Sequence, residues 1–72
     1  MENTTLIRIT LNGEPHEVEA GWTLADLVAA VAKSPKGVAI EHNGEIVPRT
    51  VHPATVIAAG DRIELVQFVG GG

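Results

Sequence analysis

The sequence predicts an α+β fold in which one helix packs on a mixed sheet of four to five strands. Three observations support this prediction: an alternating apolar segment followed by a tight-turn signal, one segment with helical periodicity, and short apolar segments separated by turn residues. In chain order they read β-β-α-β-β-β. The chain has 72 residues, which allows one small domain that buries only about 60% of its unfolded surface. We expect this domain at residues 1–69 and a flexible glycine tail at residues 70–72.

The first two strands are predicted to form a hairpin. Apolar and polar residues alternate over residues 6–11, as in a half-buried strand. The dipeptide Asn12-Gly13 then predicts a two-residue turn, because both residue types tolerate positive φ. In the return strand we expect Val18 and Ala20 to face inward. The inward residues expected on the first strand are Ile7, Ile9 and Leu11.

A single helix is predicted to begin after Thr23. This residue is a suitable N-cap, and Asp26 three positions later gives a variant of the capping box. Ser34-Pro35 cannot continue the helix, which limits it to about two to three turns. Trp22, just before the cap, is expected to pack against the helix. Four apolar residues share one helical face: Leu24, Leu27, Val28 and Val31.

The second half of the chain is predicted to contain three short strands. Residues 38–40 and 45–47 form two of them around the turn signal Asn43-Gly44. Residues 49–59 show no clean period, and we expect a loop there with one 3₁₀ turn around residues 54–56.

The last strand is predicted at residues 62–69, with Ile63 and Leu65 facing inward. The pattern leaves open whether Val66 or Gln67 continues the inward face. A bulge near Phe68 would resolve this ambiguity.

Composition excludes several kinds of function. The chain has no cysteine, which excludes disulfides, thiolate metal sites and cysteine nucleophiles. Five basic and nine acidic residues give a net charge of −4, which argues against nucleic acid or an anionic membrane as a partner. No apolar run approaches the roughly 20 residues that span a bilayer, and the N-terminus does not resemble a signal peptide. We therefore expect a cytoplasmic protein.

The three histidines do not predict a metal site. His16, His42 and His52 lie far apart in the sequence and share no helix face, so surface or turn positions are expected for them. Arg62 is a basic residue in an acidic chain. Phe68, on the last strand, fits an interface with a partner and core packing equally well.

The chain ends in Gly70, Gly71 and Gly72. Glycine loses much entropy when it is ordered, so a mobile tail is expected, reaching roughly 10 Å beyond the body when extended. A free carboxylate at Gly72 would need activation, for example as an acyl-adenylate formed with ATP, before a sulfur or nitrogen nucleophile attacks it. The chain itself has no phosphate-binding glycine loop, so another protein must activate it. By composition alone, a glycine-rich end without a role is equally well supported.

Taken together, these segments resemble the ThiS-type sulfur carriers of the ubiquitin-like β-grasp family. The resemblance covers nearly the whole chain, and no single motif in it is specific. Its segments are LNGE at 11–14, TLADL at 23–27, VAI at 38–40, NGEIVPR at 43–49, GDRIELV at 60–66 and GG at 71–72.

The resemblance implies a carrier that is not itself an enzyme and binds no cofactor. A ThiF-like enzyme would adenylate the carboxylate of Gly72 with ATP and magnesium. A cysteine desulfurase or another persulfide donor would then supply sulfur for a thiocarboxylate. A ThiG-like thiazole synthase would use that sulfur in thiamine biosynthesis. Gly70 and Gly71 would let the tail thread into each partner, while Phe68 and Arg62 are candidates for the partner interface.

Other functions remain open at this point. The segment Val51-His52-Pro53 stands where such carriers often have tryptophan, so a carrier for another sulfur-containing metabolite is an alternative. TGS-like binding modules share the turn after Pro48 and the GDRIE pattern, although they need no free glycine end. Joining of Gly72 to lysines, as in ubiquitin, is a third alternative. The molybdopterin carrier MoaD fits less well, because its proline-rich approach to the last glycines is missing.

Overall fold

The structure is a computed structural model that describes residues 5–34 and 36–68. The predictions for residues 69–72, namely the last residue of the final strand, the domain boundary and the glycine tail, lie outside the described residues. The elements in chain order are β1 (Leu6–Leu11), β2 (Glu14–Glu19), α1 (Leu24–Val31), β3 (Val38–His42), β4 (Glu45–Val47), a 3₁₀ helix (Arg49–Ala54) and β5 (Arg62–Gln67).

The five strands form one mixed sheet in the order β2-β1-β5-β3-β4. β1 and β5 run parallel at the centre, and the other neighbouring strands pair antiparallel. The predicted α+β class and the single helix on a mixed sheet are therefore confirmed, with five strands.

Both predicted hairpin turns are confirmed. Asn12 and Gly13 have φ of 51° and 83°, and Asn43 and Gly44 have φ of 51° and 88°. Positive φ at both central positions is the type I′ geometry, whose twist matches that of the flanking strands. The first turn sets the β1–β2 register, in which Leu11 pairs with Glu14.

The helix begins as predicted. The side chain of Thr23 accepts a hydrogen bond from the backbone of Asp26, and the Asp26 carboxylate accepts one from the backbone of Thr23. This capping box satisfies backbone N–H groups that have no partner inside the helix. Trp22, just before the cap, packs against the core as expected.

The core lies between α1 and one face of the sheet. Leu24 and Leu27 are completely buried beneath the helix. The expectation for Ala20 was wrong, because β2 ends at Glu19 and Ala20 is exposed beyond it. Val31, on the same apolar face of the helix, is less well covered than Leu24, Leu27 and Val28. Its side chain is 39% exposed, because α1 ends at this residue and no further turn covers it. The buried apolar residues are Ile9, Val18, Leu24, Leu27, Val28, Ile40, Ile57 and Ile63.

The 3₁₀ helix begins earlier than predicted, at Arg49, and ends at Ala54. Pro53 lies inside this helix. The fixed φ of proline is compatible with helical geometry, so Pro53 does not prevent the helix, which ends one residue later. This helix turns His52 inward, so that its side chain is only 5% exposed and its Nε2 lies 3.0 Å from the carbonyl oxygen of Val47. A surface or turn position was expected for His52: it lies in a helical turn, but the surface part of that expectation was wrong.

The end of β5 resolves the ambiguity in the sequence. Ile63 is buried, Leu65 and Gln67 are half-buried, and Val66 is 52% exposed. Gln67, not Val66, therefore continues the inward face. The ambiguity needs no bulge as far as Phe68, the last described residue: Val38 pairs with Gln67, and the N–H of Phe68 donates to the Gly37 carbonyl at 2.7 Å, in the same register.

Candidate functional site

The end of β5 carries the residues that sequence analysis connected with function. Arg62, Glu64 and Val66 lie on its outward face, away from α1, because side chains of a strand alternate between its two faces. Phe68, one residue beyond the end of the strand, continues this alternation, since its N–H still bonds the Gly37 carbonyl in the register of the β3–β5 pair. Phe68 is 68% exposed, so of its two predicted roles the structure excludes core packing. Arg62 lies on the same face at the start of the strand and is also exposed.

A second exposed apolar residue lies on this outward face. Glu41 of β3 pairs with Glu64, and Ile46 of β4 pairs with Glu41, so all three point to the same side of the sheet. Ile46 is 72% exposed. We call the surface formed by Ile46, Val66 and Phe68 together with Glu41, Glu64 and Arg62 the outward face. Exposed apolar side chains gathered on one surface are typical of a protein interaction site.

Charged residues form the central part of the outward face. Glu41 and Glu64 lie directly opposite each other on neighbouring strands. Together with Arg62 and Gly44 they line a shallow hollow of about 230 Å³. Like charges in directly opposed positions on neighbouring strands repel each other. The hollow is therefore suited to a basic group of a binding partner.

The residues before β5 are held by a polar cluster that sequence analysis did not find. His42 Nε2 lies 2.7 Å from Asp61 Oδ2, and Asp61 also accepts hydrogen bonds from the Asn43 side chain and the Ala58 backbone. Partial burial raises the pKa of the Asp61 carboxyl, but the hydrogen bonds from His42, Ala58 and Asn43 and the attraction of the histidine outweigh it, so the pKa lies below its ordinary value. The backbone N–H of Arg62 donates to Asn43 Oδ1 at 2.8 Å.

Side chains also hold the two edges of β5. Asn12 accepts a hydrogen bond from the backbone of Leu65 at 2.8 Å and donates one to its carbonyl at 3.2 Å. Gln67 bonds three backbone groups of the segment that joins α1 to β3. Each side chain connects residues more than thirty positions apart, so no local sequence pattern indicates these contacts.

An apolar groove of about 430 Å³ lies on the helix side of the sheet, between α1 and the 3₁₀ helix. It is on the opposite side from the outward face, since the inward residue Val38 lines it. The charged residues on its lining are two cations, Lys33 and Arg49. The full lining is Ala25, Val28, Ala29, Ala32, Lys33, Ser34, Val38, Arg49, His52 and Pro53.

Within residues 5–34 and 36–68, no three His, Asp or Glu side chains lie close enough together to hold a metal ion. None of the helices in the described part of the chain is long and apolar enough to cross a membrane. The structure thus brings Phe68 and Arg62 onto one face of β5. The predicted roles of Gly70, Gly71 and Gly72 lie outside the described residues.

Comparison with known proteins gives one consistent result. The model of the ThiS family matches residues 9–72. The sulfur carrier protein ThiS of Escherichia coli is 30% identical, with 92% of this chain and all of that protein covered. The crystal structure of a thiamine biosynthesis protein, ThiS, from Geobacter metallireducens superimposes with a TM-score of 0.76 at 34% identity, covering 92% of this chain and all of that one.

A longer relative also matches. A thiazole synthase of Magnetococcus marinus is 46% identical over 66 residues, which are 92% of this chain but only 20% of that protein. The chain spans the same share of a thiazole synthase of Paramagnetospirillum magneticum at 33% identity. The chain therefore corresponds to about one fifth of these two relatives.

Proposed function

Since the chain belongs to the ThiS family, we propose that it is a sulfur carrier of thiamine biosynthesis and that the carboxylate of Gly72 carries the sulfur. The observation that carries this proposal is the extent of the family match, which runs from residue 9 through residue 72 and so includes the three glycines. The match to the E. coli carrier over that protein's whole length supports the same role.

The proposed chemistry begins with activation of the carboxylate. An oxygen of the Gly72 carboxylate attacks the α-phosphorus of ATP, which forms an acyl-adenylate and releases pyrophosphate. The terminal sulfur of a persulfide then attacks the carbonyl carbon and releases AMP, leaving an acyl disulfide. A second thiol cleaves the S–S bond and is itself oxidised to a disulfide. The product is the thiocarboxylate. The chain has no cysteine that could take part, so both thiols belong to partners.

The proposal assigns a role to each of the predicted site residues. Gly70 and Gly71 carry no side chain and so fit a channel that leads to a partner's active site. Phe68 and Arg62, on the outward face, contact the partner while Gly72 reacts. From Phe68 to Gly72 the chain spans at most roughly 14 Å, so Phe68 stays close to the reacting group, while Arg62 at the start of β5 contacts the partner farther away.

The proposed partners are a ThiF-like adenylating enzyme that uses ATP and magnesium, a cysteine desulfurase or other persulfide donor, and a ThiG-like thiazole synthase. The two long relatives named thiazole synthase support the last of these, because each contains a segment similar to this chain. The charge of −4 favours basic docking surfaces on all three partners. As a carrier the protein acts as a co-substrate and not as an enzyme, in the cytoplasm where ATP is available.

Intact mass spectrometry tests the proposal. The protein is incubated with a ThiF-type enzyme, ATP, magnesium and a persulfide donor, and one oxygen is expected to be exchanged for sulfur at the C-terminus. A variant lacking Gly72 is the control, and it is expected to fold normally and gain no sulfur. A wild-type protein that stays unmodified by an enzyme active on its own carrier would contradict the proposal.

The same proteins can be used to test the three alternative functions. If the thiocarboxylate forms but a ThiG-type enzyme makes no thiazole from it, the chain serves another sulfur acceptor. If Gly72 becomes linked to lysines in cell extract, protein modification is the better assignment. Salt-dependent RNA binding that persists without the glycines would favour a TGS-like binding module.

A further inference from the structure

Gln67 makes three hydrogen bonds at the end of β5. Its Oε1 accepts from the backbone N–H of Lys33 at 3.0 Å, and its Nε2 donates to the carbonyls of Ser34 and Lys36 at 2.9 and 3.3 Å. These three backbone groups belong to the segment between α1 and β3, and that of Lys33 lies just beyond the C-terminal end of the helix. One side chain therefore attaches the end of the last strand to the end of the helix.

The surroundings of Gln67 explain why this attachment matters. β5 pairs with β1 only through Arg62 and Ile63, and the Asn12 side chain extends the contact as far as Leu65. Beyond Leu65, the described hydrogen bonds of β5 are those of its pairing with β3 and those of the Gln67 side chain. The backbone of Gly37 lies directly against Phe68: a Cβ at position 37 would be only 3.3 Å from the Phe68 carbonyl oxygen. The φ of +71° at Gly37 also favours glycine at this position.

We infer that Gln67 is a positioning residue, which fixes the direction in which the chain leaves the outward face toward Gly72. This inference rests on the proposed function. A tail can place its carboxylate in a partner's active site only if its starting point is fixed relative to the docking surface. Gly72 is the fifth residue after Gln67 and can lie at most roughly 18 Å from it, so a small pivot at Gln67 displaces the reacting carboxylate.

The inference predicts a specific kinetic effect. Gln67→Met keeps an inward side chain of similar length, and with it the pairing of β5 with β3, but removes all three hydrogen bonds. The outward face is unchanged, so the KM for the carrier should stay within about twofold of wild type. The kcat of adenylation should fall roughly 3- to 10-fold, since fewer complexes place Gly72 correctly.

The experiment measures adenylation by a ThiF-type enzyme as ATP–pyrophosphate exchange over a range of carrier concentrations. Asn12→Gly is the matched control. It removes both side-chain hydrogen bonds to Leu65, retains the turn because glycine accepts positive φ, and loosens β5 before Gln67. Urea unfolding of both variants verifies that each is folded at the assay temperature.

The outcomes are distinguishable. A lower kcat with unchanged KM for Gln67→Met, together with normal kinetics for Asn12→Gly, supports the inference. An unchanged kcat for Gln67→Met overturns it, and so does an equal loss in both variants, which would reflect general loosening of β5. If the wild-type protein is not adenylated at all, the proposed function fails, and the inference fails with it.

Discussion

His42 Nε2 lies 2.7 Å from Asp61 Oδ2 and thereby joins the end of β3 to the residue that precedes β5. Both side chains are largely buried, at 19% and 13% exposure. Asp61 also accepts hydrogen bonds from Asn43 and from the backbone of Ala58, so one carboxylate holds two turns together. Hydrogen bonds to a charged group are stronger than those between neutral groups, and this cluster therefore stabilises the start of the strand that leads to the functional end.

The stability that Asp61 provides should depend on pH. Its pKa is lower in the folded protein than the ordinary value of 3.8, so the folded state binds this proton less readily than the unfolded state. The contribution is therefore present above the ordinary pKa and lost as pH falls through the lower, folded pKa. Urea unfolding should show Asp61→Asn destabilised by about 1–2 kcal/mol at neutral pH. The difference from wild type should shrink as the pH falls below 3.8, and a difference that does not change as the pH is lowered would contradict this explanation.

Thr23→Ala should destabilise the protein by about 1 kcal/mol, because it removes the side-chain acceptor of the capping box. Thermal or urea unfolding measures the loss. Thr50→Ala is the matched control, since Thr50 is exposed in the 3₁₀ helix and should change stability by less than about 0.5 kcal/mol. Equal losses of stability in Thr23→Ala and Thr50→Ala would show that the Thr23 side chain makes no specific contribution as a helix cap.

Glu64→Gln should stabilise the free protein by about 0.2–1 kcal/mol, since it relieves the repulsion between Glu64 and the opposing Glu41. Glu17→Gln is a control with the same change in net charge. Glu17 lies opposite Arg8, so this substitution should leave stability unchanged or slightly lower. Urea midpoints at low salt compare the two. A gain of the same size in both variants would indicate a net-charge effect instead of a local one.

Leu27→Ala should be the most disruptive of these substitutions. Leu27 is completely buried, and the cavity left by truncation is expected to cost about 2–5 kcal/mol, enough to unfold much of a domain this small. Val31→Ala, on the same helix, should cost less than about 1 kcal/mol because its side chain is 39% exposed. Circular dichroism during thermal unfolding distinguishes the two. Similar losses of stability in the two variants would contradict the difference in burial between Leu27 and Val31.

The local elements of the fold could be predicted because their signals lie in adjacent residues. Positive-φ residue pairs fix both hairpin turns, the capping box fixes the start of α1, and side-chain alternation identifies β1 and β5. The prediction for Ala20 failed because the alternation of residue types continues in the sequence beyond Glu19, where β2 ends. The 3₁₀ helix was misplaced because Pro53 was interpreted as a break, although it fits the last turn.

Only part of the candidate site was accessible from the sequence. The predicted interface residues Phe68 and Arg62 do share the outward face, because an even number of residues along extended chain separates them and side chains alternate between the two faces. The burial of His52 and the pairing of His42 with Asp61 were missed, because their partners come from other elements. The roles of Gly70, Gly71 and Gly72 stay predictions.

By itself, the sequence determined the class of fold, the order of its elements and the resemblance to sulfur carriers, because turn chemistry, periodicity and motif order are properties of neighbouring residues. Only the tertiary structure decided which side chains hold the end of β5. Gln67 could have faced either way by pattern alone, and its inward position follows from three backbone groups that the fold brings to it from the α1–β3 connection. A polar side chain is stable at an inward position only when such partners exist, and those partners are assembled by folding.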